Sequence, residues 1–358
     1  MLAMILKEFR QLRRDHRTLL LMILLPVLLL IVFGYAASFN VKSIPTWVGG
    51  PEASLIKGHL PAVFHVKAAE PGEGYSQAAA ALTDGSAAVA FVASGRQVDV
   101  LVDGTQLFIA QAAQRLVANM EQVSPGQVVF KEQVLFNPQL KTSDVMIPGL
   151  SGMILLFIGM VITSLGVVRE RQAGTLEQLA VMPIKPRDVF IGKILPYFII
   201  GAIDMLVVVV VGVVVFGVPF RGSILVFGAG TVLFLFVSLG MGVLISSVSQ
   251  NQGQAIQLAI MALLPQIMLS GLIFPLSSMA AGVRWIGYIL PLTYFVEIAR
   301  GVMLRNSPIG SLWQPFLYLA VLGSLVFTLA TLRFRRALAP SARRRSLVGK
   351  VSSEQAAR

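Results

Sequence analysis

Most of the side chains placed to do anything beyond packing stand in one polar segment between two long apolar runs. They are Arg169, Glu170, Arg171, Gly174, Thr175, Leu176, Glu177, Leu179 and Pro183. Acids around a Gly-Thr step suit a helix start, where a threonine hydroxyl caps free amides and carboxylates meet the positive end of the helix dipole. Pro183 and Pro186 then close that helix. A short rigid helix held between two spans is a lever rather than a reactive centre, because force applied to it turns both spans together. An ordinary polar loop is the plainer reading of the same residues. Asp204 is a second candidate, the one acid deep inside an apolar run. Such a carboxylate either serves a functional path or, protonated or hydrogen-bonded, holds two helices together.

Reactive centres of the usual kinds are missing. The two Gly-Lys pairs, Gly192-Lys193 and Gly349-Lys350, are followed by Ile194 and Val351, so neither has the Ser/Thr or the upstream glycine spacing of a P-loop. The chain therefore holds no ATP site of its own and binds no cofactor. No HExxH helix or GxSxG elbow occurs. Zero cysteines exclude a disulfide scaffold, an iron–sulfur cluster and a thiolate zinc site. His59 and His65 fall in separate elements and read as surface or strand-end histidines.

The elements that position these residues are apolar spans. Hydrophobic residues make up 56% of the 358 and charged ones 13%, far from the balance of a soluble domain. Six stretches are long enough to cross a bilayer: 18–37, 147–168, 189–216, 223–246, 255–274 and 315–332. A seventh apolar stretch, 285–292, is too short and reads as re-entrant or interfacial. The first span follows a basic region, as a signal peptide would, but its length favours a retained anchor.

A net charge of +12 would by itself point to nucleic acid. The cations sort by side instead. They collect in the N-terminal segment (Lys7, Arg10, Arg13, Arg14, Arg17), in the polar segment after the second span, and in the tail 333–358. Six spans put all three on one face, so both termini are expected in the cytoplasm and no nucleic-acid partner is implied. Residues 1–17 place Leu2, Ile5, Leu6, Phe9 and Leu12 on one helical face, which suits a helix lying against membrane lipid.

Residues 38–146 differ in composition and are the length of a small domain. Short β-like runs at 46–49, 62–66, 87–92, 97–102 and 127–135 alternate with helical stretches at 75–82 and 107–122. The expected fold class is an α-helical polytopic membrane protein with six transmembrane helices and an inserted extracytoplasmic α/β domain.

The polar segment resembles the ABC-2 family of ABC transporter permeases, whose pattern is an arginine–glutamate step, Gly-Thr-Leu-Glu, a proline, then Gly-Lys opening the next span. Val102-Asp103-Gly104, Asn137-Pro138, Ser270-Gly271 with Pro275, and Pro291-Leu292 are similar to the subfamily with a large domain after its first span. The resemblance implies an exporter permease with a hydrophobic or amphipathic cargo. Its ATP and Mg are bound by a separate ABC ATPase subunit, and it works with a second permease copy or paralogue as a dimer. In some relatives a periplasmic adaptor joins them. It further implies that residues 169–188 are the coupling loop to the ATPase and that 275–306 is an outer re-entrant segment covering the path. There Glu297 and Arg300, three apart, have the spacing to pair. The bacterial inner membrane is the implied location. A complex that moves an outer partner without passing cargo is the other reading.

Overall fold

In this computed structural model, residues 27, 41–70, 72–123, 128–174 and 186–338 are described. The expected interface helix 1–17, first span 18–37 and tail beyond 338 lie outside them, apart from residue 27.

Between 41 and 140 the chain alternates strands with short helices and closes a five-stranded sheet. The strands are β1 (Ile44–Gly49), β2 (Phe64–Glu70), β3 (Val89–Ser94), β4 (Gln97–Asp103) and β5 (Val129–Leu135), in spatial order β2-β1-β3-β4-β5. Only β3 and β4 run antiparallel, because a two-residue turn at Gly95-Arg96 joins them. The parallel pairs β1–β2, β1–β3 and β4–β5 need helical crossovers. These are α1 (Ala53–His59), α2 (Tyr75–Thr83) and α3 (Leu107–Val123). One sheet face packs Ile44, Val48, Phe91, Val100 and Val102 against α1 and α3, and the other packs Trp47, Ala90, Val92 and Leu101 against α2. The central position of β3 in a mostly parallel sheet, covered on both faces there, explains why it reads as a continuous apolar run rather than an alternating one.

The remainder is a helical bundle. Its long helices are α4 (Thr142–Gln172), α5 (Pro186–Val214), α6 (Ile224–Val248), α7 (Gln252–Leu269) and α10 (Trp313–Leu338). Each contains a stretch long and apolar enough to cross a membrane. They correspond to five of the six expected spans, with shifted ends. α4 continues four residues past 168, and α7 stops at Leu269, five short of the expected 274, where Gly271 at φ +83° turns the chain. Between α7 and α10 sit α8 (Ala281–Gly287) and α9 (Pro291–Arg300), the latter prolonged by a π-helical turn, Gly301–Arg305. The two arms are bent by 74°. Pro291 at the first helical position sets this second start, which fits the re-entrant reading of 285–292.

With lipid outside, helices associate by close packing, and small residues let backbones approach. α4 carries Gly149, Gly152, Gly159 and Gly166 along one side. A Cβ at Gly152 would meet the Phe295 ring at 2.4 Å, and one at Gly159 would meet Ser238 Oγ at 2.7 Å. A backbone approach lies opposite, where a Cβ on Gly242 of α6 would stand 2.8 Å from the Gly159 carbonyl oxygen. Neither backbone can yield locally. Gly242→Val should therefore destabilise the purified protein by about 1–3 kcal/mol. Thermal unfolding in detergent checks this, and an unchanged midpoint refutes it.

Candidate functional site

The end of α4 carries the first part of the polar segment. Because the helix runs through Gln172, Arg169, Glu170 and Arg171 stand on its last turn rather than in a loop. Gly174 then takes φ +74°, the left-handed conformation that ends many helices and that glycine adopts at no steric cost. Arg171 Nη1 donates to the Ser249 carbonyl (3.0 Å) and Gln252 Nε2 to Gln172 Oε1 (3.0 Å). This end of α4 is thus fastened to the turn between α6 and α7, which Asn251 caps by accepting from Gln254 N at 2.8 Å. Thr175, Leu176, Glu177, Leu179 and Pro183 lie outside the described residues. Pro186 opens α5.

At the far end of α4 the sheet domain meets the hairpin formed by α8 and α9. Asn137 joins β5 to α4: its Nδ2 donates to the Gly104 and Lys141 carbonyls (3.3 and 3.0 Å), and its Oδ1 accepts from Lys141 N (2.9 Å). Asp103, fully buried, accepts from Thr105 N at 2.9 Å through Oδ1. Its Oδ2 lies 3.8 Å from Arg305 Nη1, also buried. Ser307 Oγ donates to the Thr83 carbonyl (2.6 Å). Gly85 makes room for the guanidinium: its φ is +73°, and a Cβ there would stand 2.5 Å from Arg305 Nη1. The sequence motifs at 102–104 and 137–138 are therefore parts of one junction, and Arg305 is the member that sequence reasoning missed.

Arg300 behaves differently from its expected pairing. Nε donates to the Val145 carbonyl (3.2 Å), Nη1 to Gly271 (3.2 Å) and Nη2 to Leu272 (2.9 Å). Its fork satisfies carbonyls of α4 and of the turn after α7, and it forms no ion pair with Glu297 among the described residues. A planar five-donor group suits several fixed acceptors better than one flexible carboxylate. Pro275 begins the short 3₁₀ turn Leu276–Ser278 before α8. α9 itself is seated in the core, where Phe295 stacks on Phe234 at 4.5 Å and Leu292 N reaches Gln266 Oε1 at 3.4 Å. Asp204 lies half-buried on α5, with no hydrogen bond or ion pair among the described residues. The structure does not bring it to the hairpin or the junction.

Two cavities flank α9. One, about 240 Å³, lies beneath the sheet domain and is lined by Gln106, Val145, Thr293, Glu297, Arg300 and Arg305 among others. The other, about 480 Å³, lies between the hairpin and α10.

Residues 16–332 match the family described as "ABC-2 family transporter protein". The chain is 30% identical over 341 residues to "Probable multidrug ABC transporter permease YbhS" of Escherichia coli, covering 85% of this chain and 88% of the relative. It is 32% identical over 267 residues to "Inner membrane transport permease YhhJ" of Escherichia coli, covering 69% and 70%. A more distant relative, "ABC transporter G family member 20" of Dictyostelium discoideum, is 28% identical over 242 residues, covering 64% of this chain and 33% of that protein. A bundle of apolar helices carrying an α/β sheet domain, matched along nearly its whole length, makes this chain a member of the ABC-2 transporter family, a multi-pass membrane permease.

Proposed function

We propose that the chain is the permease subunit of an ATP-driven exporter for hydrophobic or amphipathic cargo, energised by a separate ABC ATPase and paired with a second permease. The observation that carries this is α4. It is one helix of 31 residues, about 46 Å at 1.5 Å per residue. Its last turn leads into the polar segment, and near its first turn Val145 accepts from Arg300 of the hairpin. A push on the last turn of α4 is delivered to the hairpin along one continuous helix, which contains Pro148 near its other end. The exposed apolar faces of α5 and α10, with Ile199, Ile203, Leu206, Leu317, Val321 and Leu325, suit lipid or a second permease. Sorting of the cations supports both termini in the cytoplasm and the sheet domain outside the bacterial inner membrane, and the family resemblance supports the segment 169–188 as the contact with the ATPase. Catalysis is then the work of the partner chain.

The test uses the full chain with its ATPase in proteoliposomes loaded with a fluorescent amphiphile. Gly174→Pro, which cannot adopt φ +74°, and Glu177→Ala should keep ATP hydrolysis within about twofold and reduce ATP-dependent dye movement at least tenfold. Dye movement that ignores ATP would sink the reading. The fastening of the sheet domain to the hairpin through Asp103 and Arg305 favours one alternative, in which motion is passed to an outer partner protein. Hydrolysis stimulated by such a protein and by no cargo would select it.

A further inference from the structure

The cavity between the hairpin and α10 has the composition of a site for one class of ligand. At about 480 Å³ it falls in the range of small-molecule pockets. Three tyrosines, Tyr288, Tyr294 and Tyr318, line it with Val321 and Leu322, and Glu297 is its single charged lining residue. The rings of Tyr294 and Tyr318 stack at 5.0 Å with 21° between planes. Tyr294 Oη donates to the Tyr288 carbonyl, which fixes the inner ring. Tyr318 is 52% exposed, so the outer ring face is open from the flank of the bundle.

Glu297 makes no hydrogen bond or ion pair among the described residues. Both neighbouring guanidiniums are engaged elsewhere: Arg300 with three carbonyls, Arg305 with Asp103. A carboxylate with no base paired to it in direct contact, at the edge of an apolar, aromatic cavity, attracts a cation. Tyrosine faces add to that attraction, because their quadrupoles present negative charge within about 6 Å. The aliphatic wall meanwhile requires that the cation carry apolar substituents. An inorganic cation would find one carboxylate and otherwise only neutral groups, such as Thr293 and Gln314, to replace its water.

We propose that this cavity binds lipophilic monocations, with Glu297 as counter-charge and the Tyr294–Tyr318 pair as aromatic wall. Leu276, Thr293 and Glu297 also line the smaller cavity beneath the sheet domain, so Glu297 stands where the two meet. A cation held there is positioned to pass from the flank of the bundle toward the sheet domain. That last step rests on the export reading, whereas the binding does not.

Equilibrium binding of radiolabelled tetraphenylphosphonium to the purified full chain in lipid nanodiscs tests it. Saturable binding is expected, with Glu297→Gln weakening it about tenfold and Tyr318→Leu several-fold. Tetraphenylborate, an anion of the same shape, should not compete. Thermal unfolding checks that the variants are folded. Val321→Trp fills the cavity without touching the carboxylate and should also abolish binding, so the test survives if Glu297→Gln fails to fold. Equal affinity in wild type and variants, or equal binding of the borate, overturns the site. Binding that behaves as expected in a protein that moves no dye overturns the export reading and leaves the site standing.

Discussion

Arg305→Met should destabilise the protein by about 3–5 kcal/mol. Asp103 is fully buried, and its Oδ2 meets Arg305 Nη1 at 3.8 Å. Removing the guanidinium leaves that carboxylate in a low-dielectric pocket with only Thr105 N and a long contact from Gln106 at 3.4 Å. The pair itself gives less than this loss implies. Its separation is long for a charge-assisted bond, and Arg305 Nε has no hydrogen-bond partner among the described residues. Removing both charges together should therefore restore most of what either loses alone. The double variant Asp103→Leu/Arg305→Met is expected to lie within about 1–2 kcal/mol of wild type. Chemical unfolding of the four proteins closes the cycle. If the double variant is as unstable as the sum of the singles, the charges are not coupled. Gly85→Ala is a third route to the same place, since it strains a positive φ and drives a methyl group into the guanidinium.

The second large effect belongs to Arg300. Arg300→Met leaves three carbonyls, those of Val145, Gly271 and Leu272, without their donor, at about 1–3 kcal/mol for each one that stays buried and unsatisfied. Arg300→Lys should recover little. An ammonium is a point donor on a flexible stem, and these acceptors come from two separate segments. Both variants are expected to lose dye movement in proteoliposomes. The distinguishing measurement is crosslinking across the hairpin: with cysteines placed at Val145 and Leu272, the disulfide yield should fall in Arg300→Met relative to the native background. An unchanged yield would show that α4 and the turn after α7 are held together by apolar packing alone.

These two arginines mark the boundary of what the sequence reveals. The period of α3 is legible because Ile109, Ala113 and Val117 form its buried stripe, and β3 is legible as an unbroken apolar run. The re-entrant bend shows in the short length of 285–292 and in Pro291. α1 escapes notice because it is seven residues long and buries only Ala53 fully. The end of α4 was expected at 168, since charged residues follow. The structure continues it through Gln172, and Arg171 Nη1 donates to the Ser249 carbonyl. Arg300 shows the limit of local spacing. An i, i+3 acid is its natural partner in an isolated helix, yet the fold offers it fixed carbonyls from two other segments. Arg305 has no local signal at all, because its partner Asp103 lies in another domain of the chain. Tertiary pairs of this kind are written in the fold and not in any window of sequence.

The order of synthesis gives the Asp103–Arg305 contact a further meaning. All five strands and three helices of the sheet domain are complete by Leu135, before any of the helices α4 to α10 has been made. Domains generally fold as they emerge, earlier ones first. The sheet can thus close around Asp103 while the base that neutralises it is still untranslated. Arg305 arrives only after the hairpin has been laid into the bundle, shortly before α10. A chain that stalls or misinserts earlier keeps a buried acid without its counter-ion and a sheet domain with no seat. The contact therefore forms late, and it marks a chain whose hairpin has been seated against the sheet domain.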